Sequence, residues 1–138
     1  MVPGVINQEA TMATWRKKPA GETFSDEEVA ARLADELPGW TLEGGWIRRK
    51  YKTTGWKATM MVVATVGHIA EAAWHHPDLN VSYAFVTVKL MTHDAKGITE
   101  KDFSLARQLD AVLLWRPEAG GALEGTPDDP RFKYIKYE

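Results

Sequence analysis

Residues 71–102 read EAAWHHPDLNVSYAFVTVKLMTHDAKGITEKD, and both the fold and the chemistry turn on this stretch. His75-His76-Pro77 ends a helix, because proline disfavours α geometry at the residue before it. From Asn80 to Met91 the chain reads as one long β-run. Ala84, Val86, Val88 and Leu90 lie on one face of it, and Tyr83, Phe85, Thr87 and Lys89 on the other. Residues 92–97, THDAKG, make a loop. Thr99 then caps a helix with Asp102 in its first turn. Phe103, Ala106, Leu109 and Leu113 supply that helix's buried stripe, and Pro117 closes it.

Upstream, Ser25-Asp26-Glu27-Glu28 has the form of a capping box. The helix it opens carries Val29, Leu33 and Leu37 at a spacing of four and stops at Pro38-Gly39. Trp40-Thr41-Leu42 begins a strand, Gly44-Gly45 turns it, and Trp46–Thr53 returns with Ile47 and Tyr51 on one side. After Gly55 comes a helix of about eighteen residues ending near Trp74, the start of the histidine stretch. Its centre, Met60-Met61-Val62-Val63-Ala64, is apolar on more than one side, which predicts cover on both faces, the second from another subunit. Gly67 weakens this helix and offers a place for close packing.

The resulting order, α-β-β-α-β-α, predicts an α+β fold with a small antiparallel sheet covered by helices on one face. Residues 1–22 read as an irregular arm, residues 23–116 as the domain and residues 117–138 as a tail. The tail's ending, RFKYIKYE, has the aromatic content of a short edge strand or a docking segment.

The whole composition narrows the function. With 138 residues and no cysteine, the chain fits one domain without disulfides, thiolate metal sites or cysteine nucleophiles. A net charge of −2 gives no basic balance to argue for nucleic acid. No run has signal-peptide form or membrane-spanning length, so a soluble cytoplasmic protein is expected. Met12 opens a second start, MATWRKKP, and Trp15 is the residue of the arm expected to dock.

Three of the four histidines, His75, His76 and His93, belong to the central stretch. Imidazole both gives and takes a proton near neutral pH. Metal binding is one reading, but adjacent helical residues point about 100° apart and no H-E-x-x-H spacing is present. Structural histidines at a helix end and in a loop are another. General acid–base catalysis is the third. On a continuing helix Glu71 would stack on His75 and orient it, and His93 would approach from the end of the strand. Asp102 has an obvious part as a helix N-terminal acid, Tyr83 and Phe85 suit either a ring platform or an interface, and His68 suits solvent.

At these spacings the pattern becomes familiar. Glu71-x-x-x-His75-His76-Pro77, five residues to Tyr83, nine to His93 and eight to Asp102 resembles the signature of the pterin-4a-carbinolamine dehydratases. FSDEEVAARLADELPGWTLEGGWIRRKY and THDAKGITEKDFSLARQLD are similar to the family's first helix and hairpin and to its last loop and helix. The resemblance spans residues 23–115. It implies a four-stranded antiparallel sheet with helices on one face, in dimers that join their sheets or tetramers built through helices. It also implies the removal of water from 4a-hydroxytetrahydrobiopterin, a hydro-lyase reaction of pterin recycling that needs no metal or organic cofactor. His75, His76 and His93 would be the catalytic set, with Glu71, Asp78, Tyr83 and Asp102 as substrate-binding or supporting residues.

The pattern departs from the family at Leu79, where many relatives have tryptophan, and at Lys96-Gly97, where paired glycines are common. The competing expectation is a non-catalytic partner protein. Relatives of this fold serve as a dimerisation cofactor for a transcription factor or in RuBisCO assembly at carboxysomes, and the tail would be the docking part.

Overall fold

The computed structural model describes residues 18–137, so the first seventeen residues, Met12 and Trp15 among them, lie outside the described residues. Helix α1 (Asp26–Glu36) starts with the expected capping box: Ser25 Oγ accepts from the Glu28 N–H, and Glu28 accepts from the Ser25 N–H at 2.9 Å. That backbone hydrogen bond and Lys18 Nζ at 3.0 Å hold the Glu28 carboxyl below its usual range. Strands β1 (Thr41–Glu43) and β2 (Trp46–Thr53) form a hairpin. Its two turn residues, Gly44 and Gly45, have φ of 61° and 83°, the left-handed pair that a twist-matched two-residue turn demands. Helix α2 (Trp56–Ala73) follows, then β3 (Asp78–Ser82), β4 (Phe85–Leu90) and α3 (Glu100–Leu113).

The sheet order is β1-β2-β4-β3, antiparallel throughout, so the four-stranded α+β expectation holds. The tail adds a fifth, two-residue strand: β5 (Ile135–Lys136) pairs with the far end of β2, Thr53 opposite Ile135. Ile47 and Tyr51 of β2 and Val86, Val88 and Leu90 of β4 are buried together with the helix residues Val29, Leu33, Val62, Val66, Phe103 and Leu109. Burial of apolar side chains at about 25 cal/mol per Å² is what holds the helices on this face.

One expectation is corrected here. The run from Asn80 to Met91 is not one strand but the β3–β4 hairpin, which turns at Tyr83-Ala84 with Ser82 paired to Phe85. Neither turn residue is of a turn-forming type; the bend is held from outside, by Thr59 Oγ1 donating to the Tyr83 carbonyl at 2.9 Å and the Thr53 N–H to the Ala84 carbonyl at 2.9 Å. Gly67 gives no close approach within the chain, since a Cβ there would meet nothing within 4 Å. The second face of α2 is open in the single chain, with Met61 exposed.

Two polar clusters tie the layers. Arg32, buried between the rings of Phe24 and Phe103, pairs with Glu36 on its own helix and Glu100 at the start of α3. Asp110 accepts from Tyr51 Oη at 2.6 Å, Trp40 Nε1 at 3.1 Å and Arg49 at 3.2 Å. Burial, then the charge of Asp110, push the Tyr51 phenol far above its ordinary value. Among the described residues no helix is long and apolar enough to cross a membrane.

Candidate active site

Helix α2 stops by a left-handed residue, not by proline alone. Trp74 has φ 54° and ψ 45°, its N–H reaches the Glu71 carbonyl at 3.2 Å, and the His75 N–H reaches the Ala70 carbonyl at 3.1 Å. This paired closure is the Schellman form of helix end. It swings His75 off the helix axis and toward α3.

There His75 Nε2 lies 2.7 Å from Asp102 Oδ1. Asp102 is fully buried, and its other oxygen accepts from Thr92 Oγ1 at 2.8 Å and from the Thr99 N–H at 2.9 Å. Thr92 Oγ1 in turn lies 2.7 Å from Thr99 Oγ1. Asp102 is therefore both the expected helix-capping acid and the group that orients His75, with one oxygen for each task. An N-terminal helix position also suits its negative charge. With Nε2 engaged, Nδ1 is the His75 nitrogen left to exchange a proton.

The expected stacking of Glu71 on His75 is replaced by a different pair. Because the helix ends at Ala73 and Trp74 reverses the backbone, Glu71 Oε1 meets His76 Nε2 at 2.8 Å. Both partners are largely exposed, so this contact orients a ring more than it stabilises the fold.

His93 stands in the loop that Thr92 and Gly97 close as an isolated bridge, with the Lys96 N–H on the His93 carbonyl at 3.1 Å. Its ring meets Trp46 edge to face, centroids 5.6 Å apart. The neighbour of His93, Thr92, shares Asp102 with His75, so one carboxylate links the ends of α2, β4 and the cap of α3. Neither the Thr92 contact nor the Trp46 packing was visible in the sequence. The one available signal was a threonine directly before the histidine.

The remaining site candidates divide. Asp78 opens β3, one residue beyond His76-Pro77, paired across the ladder with Lys89. Tyr83 sits in the hairpin turn at the other end of β3, about 16 Å from Asp78 at roughly 3.3 Å per residue. There it is exposed and packs near Gly55, so within one chain the structure does not bring it to the histidines. His68 is exposed on α2, as expected. Among the described residues no group of three or more His, Asp or Glu side chains is placed to hold a metal ion.

A cavity of about 690 Å³ opens between the end of α2 and the start of α3, lined by Ile69, Trp74, His75, Lys101, Leu105 and Gln108. That volume is in the range of small-molecule sites. A second cavity, about 570 Å³, is built by the tail around Trp115, Leu123, Tyr134 and Tyr137, and none of the three site histidines lines it.

The family model for pterin 4 alpha carbinolamine dehydratase matches residues 22–112. A protein of Aquifex aeolicus named after that dehydratase is 46% identical over 90 residues, 65% of this chain and 90% of its own length. A Roseiflexus protein named in the same way is 44% identical over 90 residues, 65% of this chain and 96% of its own. Among solved structures, a transcriptional coactivator/pterin dehydratase from Brucella melitensis superposes with a TM-score of 0.60 at 29% identity, covering 65% of this chain and 97% of that one.

Proposed function

The chain belongs to the pterin 4 alpha carbinolamine dehydratase family, and from that premise we propose that its histidine site removes water from 4a-hydroxytetrahydrobiopterin to give quinonoid dihydrobiopterin. The C4a–O bond breaks as the N5 lone pair forms the N5=C4a double bond. The hydroxyl leaves as water with a proton from a general acid, and the N5 proton passes to a general base. Each such group typically contributes on the order of 10²–10⁴ in rate.

The observation that carries this reading is the buried Asp102 carboxylate, holding His75 through Nε2 and Thr92, next to His93, through Oγ1. In the reading, His75 and His93 exchange the two protons. His76, turned by Glu71, binds the pterin's polar edge. Asp102 holds His75 directly and, through Thr92, the start of the loop that carries His93, which would limit reorganisation at the moment of reaction.

A protein-binding role is the second reading, supported by the coactivator description of the Brucella protein and by the exposed Trp115, Leu123 and Phe132 in or beside the tail. The test is dehydration of enzymatically generated 4a-hydroxytetrahydrobiopterin followed against the spontaneous rate. Acceleration by the wild-type chain supports the dehydratase, and a folded chain that gives none favours the binding role.

A further inference from the structure

Among the described residues, two without the freedom of glycine have positive φ: Trp74 at 54° and Lys96 at 57°. Both adjoin the histidines. Trp74 directly precedes His75, and the Lys96 N–H closes the loop on the His93 carbonyl. The left-handed region is penalised for any side chain with a Cβ, and a helix end of this form ordinarily takes glycine or asparagine. A bulky residue held there is the kind of local strain that gathers at functional sites.

Burial does not compensate Trp74, which is 76% exposed. Trp40, by contrast, is buried and bonded through Nε1 to Asp110, which is what a structural tryptophan looks like in this fold. Trp56 and Trp115 are exposed as well, so exposure alone singles out nothing. What sets Trp74 apart is placement. Its ring meets His76 edge to face at 5.1 Å, and it lines the cavity that also holds His75.

We propose that Trp74 is the surface against which the conjugated amide–guanidine part of the substrate's pyrimidine ring packs, a specificity residue that the helix end presents beside the histidine pair. This rests on the dehydratase reading and adds to it how the ring is recognised. The indole offers a rigid apolar face at low entropic cost. A pterin whose conjugated pyrimidine segment lies on it would keep its polar edge toward His75 and His76. Stacking of this kind tolerates changes at the ring's periphery, so side-chain variants of the pterin should bind alike.

The test uses the full chain and 7,8-dihydrobiopterin as the binding probe, followed by calorimetry, with turnover measured in parallel. Trp74→Asn suits the left-handed position, so its Tm should equal or exceed that of wild type. The same variant should raise both Kd and KM by about 10- to 100-fold, with kcat within about threefold. Trp74→Phe should recover most of the loss. Wild type that binds and turns over while Trp74→Asn does so equally well overturns the proposal. So does a change in sedimentation of Trp74→Asn without a change in Kd, which would make Trp74 a contact between copies. Wild type that neither binds nor turns over defeats the dehydratase reading first, and this proposal with it.

Discussion

Replacing Asp102 by asparagine exchanges one oxygen for an amide nitrogen at the point where three elements meet. The carboxylate accepts from the Thr99 N–H at 2.9 Å and Thr92 Oγ1 at 2.8 Å, and it faces His75 Nε2 at 2.7 Å. An asparagine that keeps its carbonyl on Thr92 and Thr99 must turn its NH₂ toward His75. Nε2 then has to accept, and the imidazole is forced into the tautomer with its proton on Nδ1. The atom assigned to proton exchange would be in the wrong state to act as base. The expected loss in kcat is on the order of 10²–10⁴, the scale of one general acid–base group.

Stability should fall by only about 1–3 kcal/mol, because the contacts to Thr92 and Thr99 survive and a neutral hydrogen bond to His75 replaces a charged one. Alanine is the wrong tool, since it leaves the buried Thr99 N–H and Thr92 hydroxyl without their acceptor and costs several times as much. Single-turnover dehydration, with the native fold checked by circular dichroism and urea midpoint, reads both quantities. Asp102→Asn that keeps wild-type kcat in a folded protein would refute the assignment of Asp102 as the group that orients His75.

Glu71→Gln should leave the free energy of urea unfolding unchanged within about 1 kcal/mol, because the Glu71–His76 pair is exposed, while KM rises severalfold as His76 loses its orientation. Arg32→Ala should cost about 3 kcal/mol in urea denaturation, since it strips a buried cation from between Phe24 and Phe103 and leaves Glu36 and Glu100 facing each other. Tyr51 predicts an alkaline limb: its folded phenol is held above the ordinary value of 10.0 by burial and Asp110, while the unfolded phenol is not. The folded state therefore keeps a proton that the unfolded state loses, and stability is fully present below pH 10 and declines above it. Tyr51→Phe should be weaker at neutral pH and lack that decline, as thermal melts across pH 8–11 would report.

Much of this fold was written in local signals. The Ser25 capping box, the Gly44-Gly45 turn and the stripe Phe103, Ala106, Leu109, Leu113 each depend on residues a few positions apart, and each came out as read. The β3–β4 turn did not, because its stability comes from Thr53 and Thr59, more than twenty residues upstream of Tyr83 and Ala84. The site shows the same division. Three histidines in one stretch could be seen, but their carboxylate partners could not be allotted. Reading α2 as continuing placed Glu71 under His75, whereas the left-handed turn at Trp74 hands Glu71 to His76 and gives His75 to a carboxylate twenty-seven residues away. Tryptophan is a residue that no helix-stop rule would have flagged there.

The most direct measurement is dehydration of enzymatically generated 4a-hydroxytetrahydrobiopterin by wild type, His75→Ala, His93→Ala and the double variant. The account predicts acceleration by wild type, a loss on the order of 10²–10⁴ in each single variant and the spontaneous rate in the double. A double variant that stays folded and still turns over at the wild-type rate would contradict it.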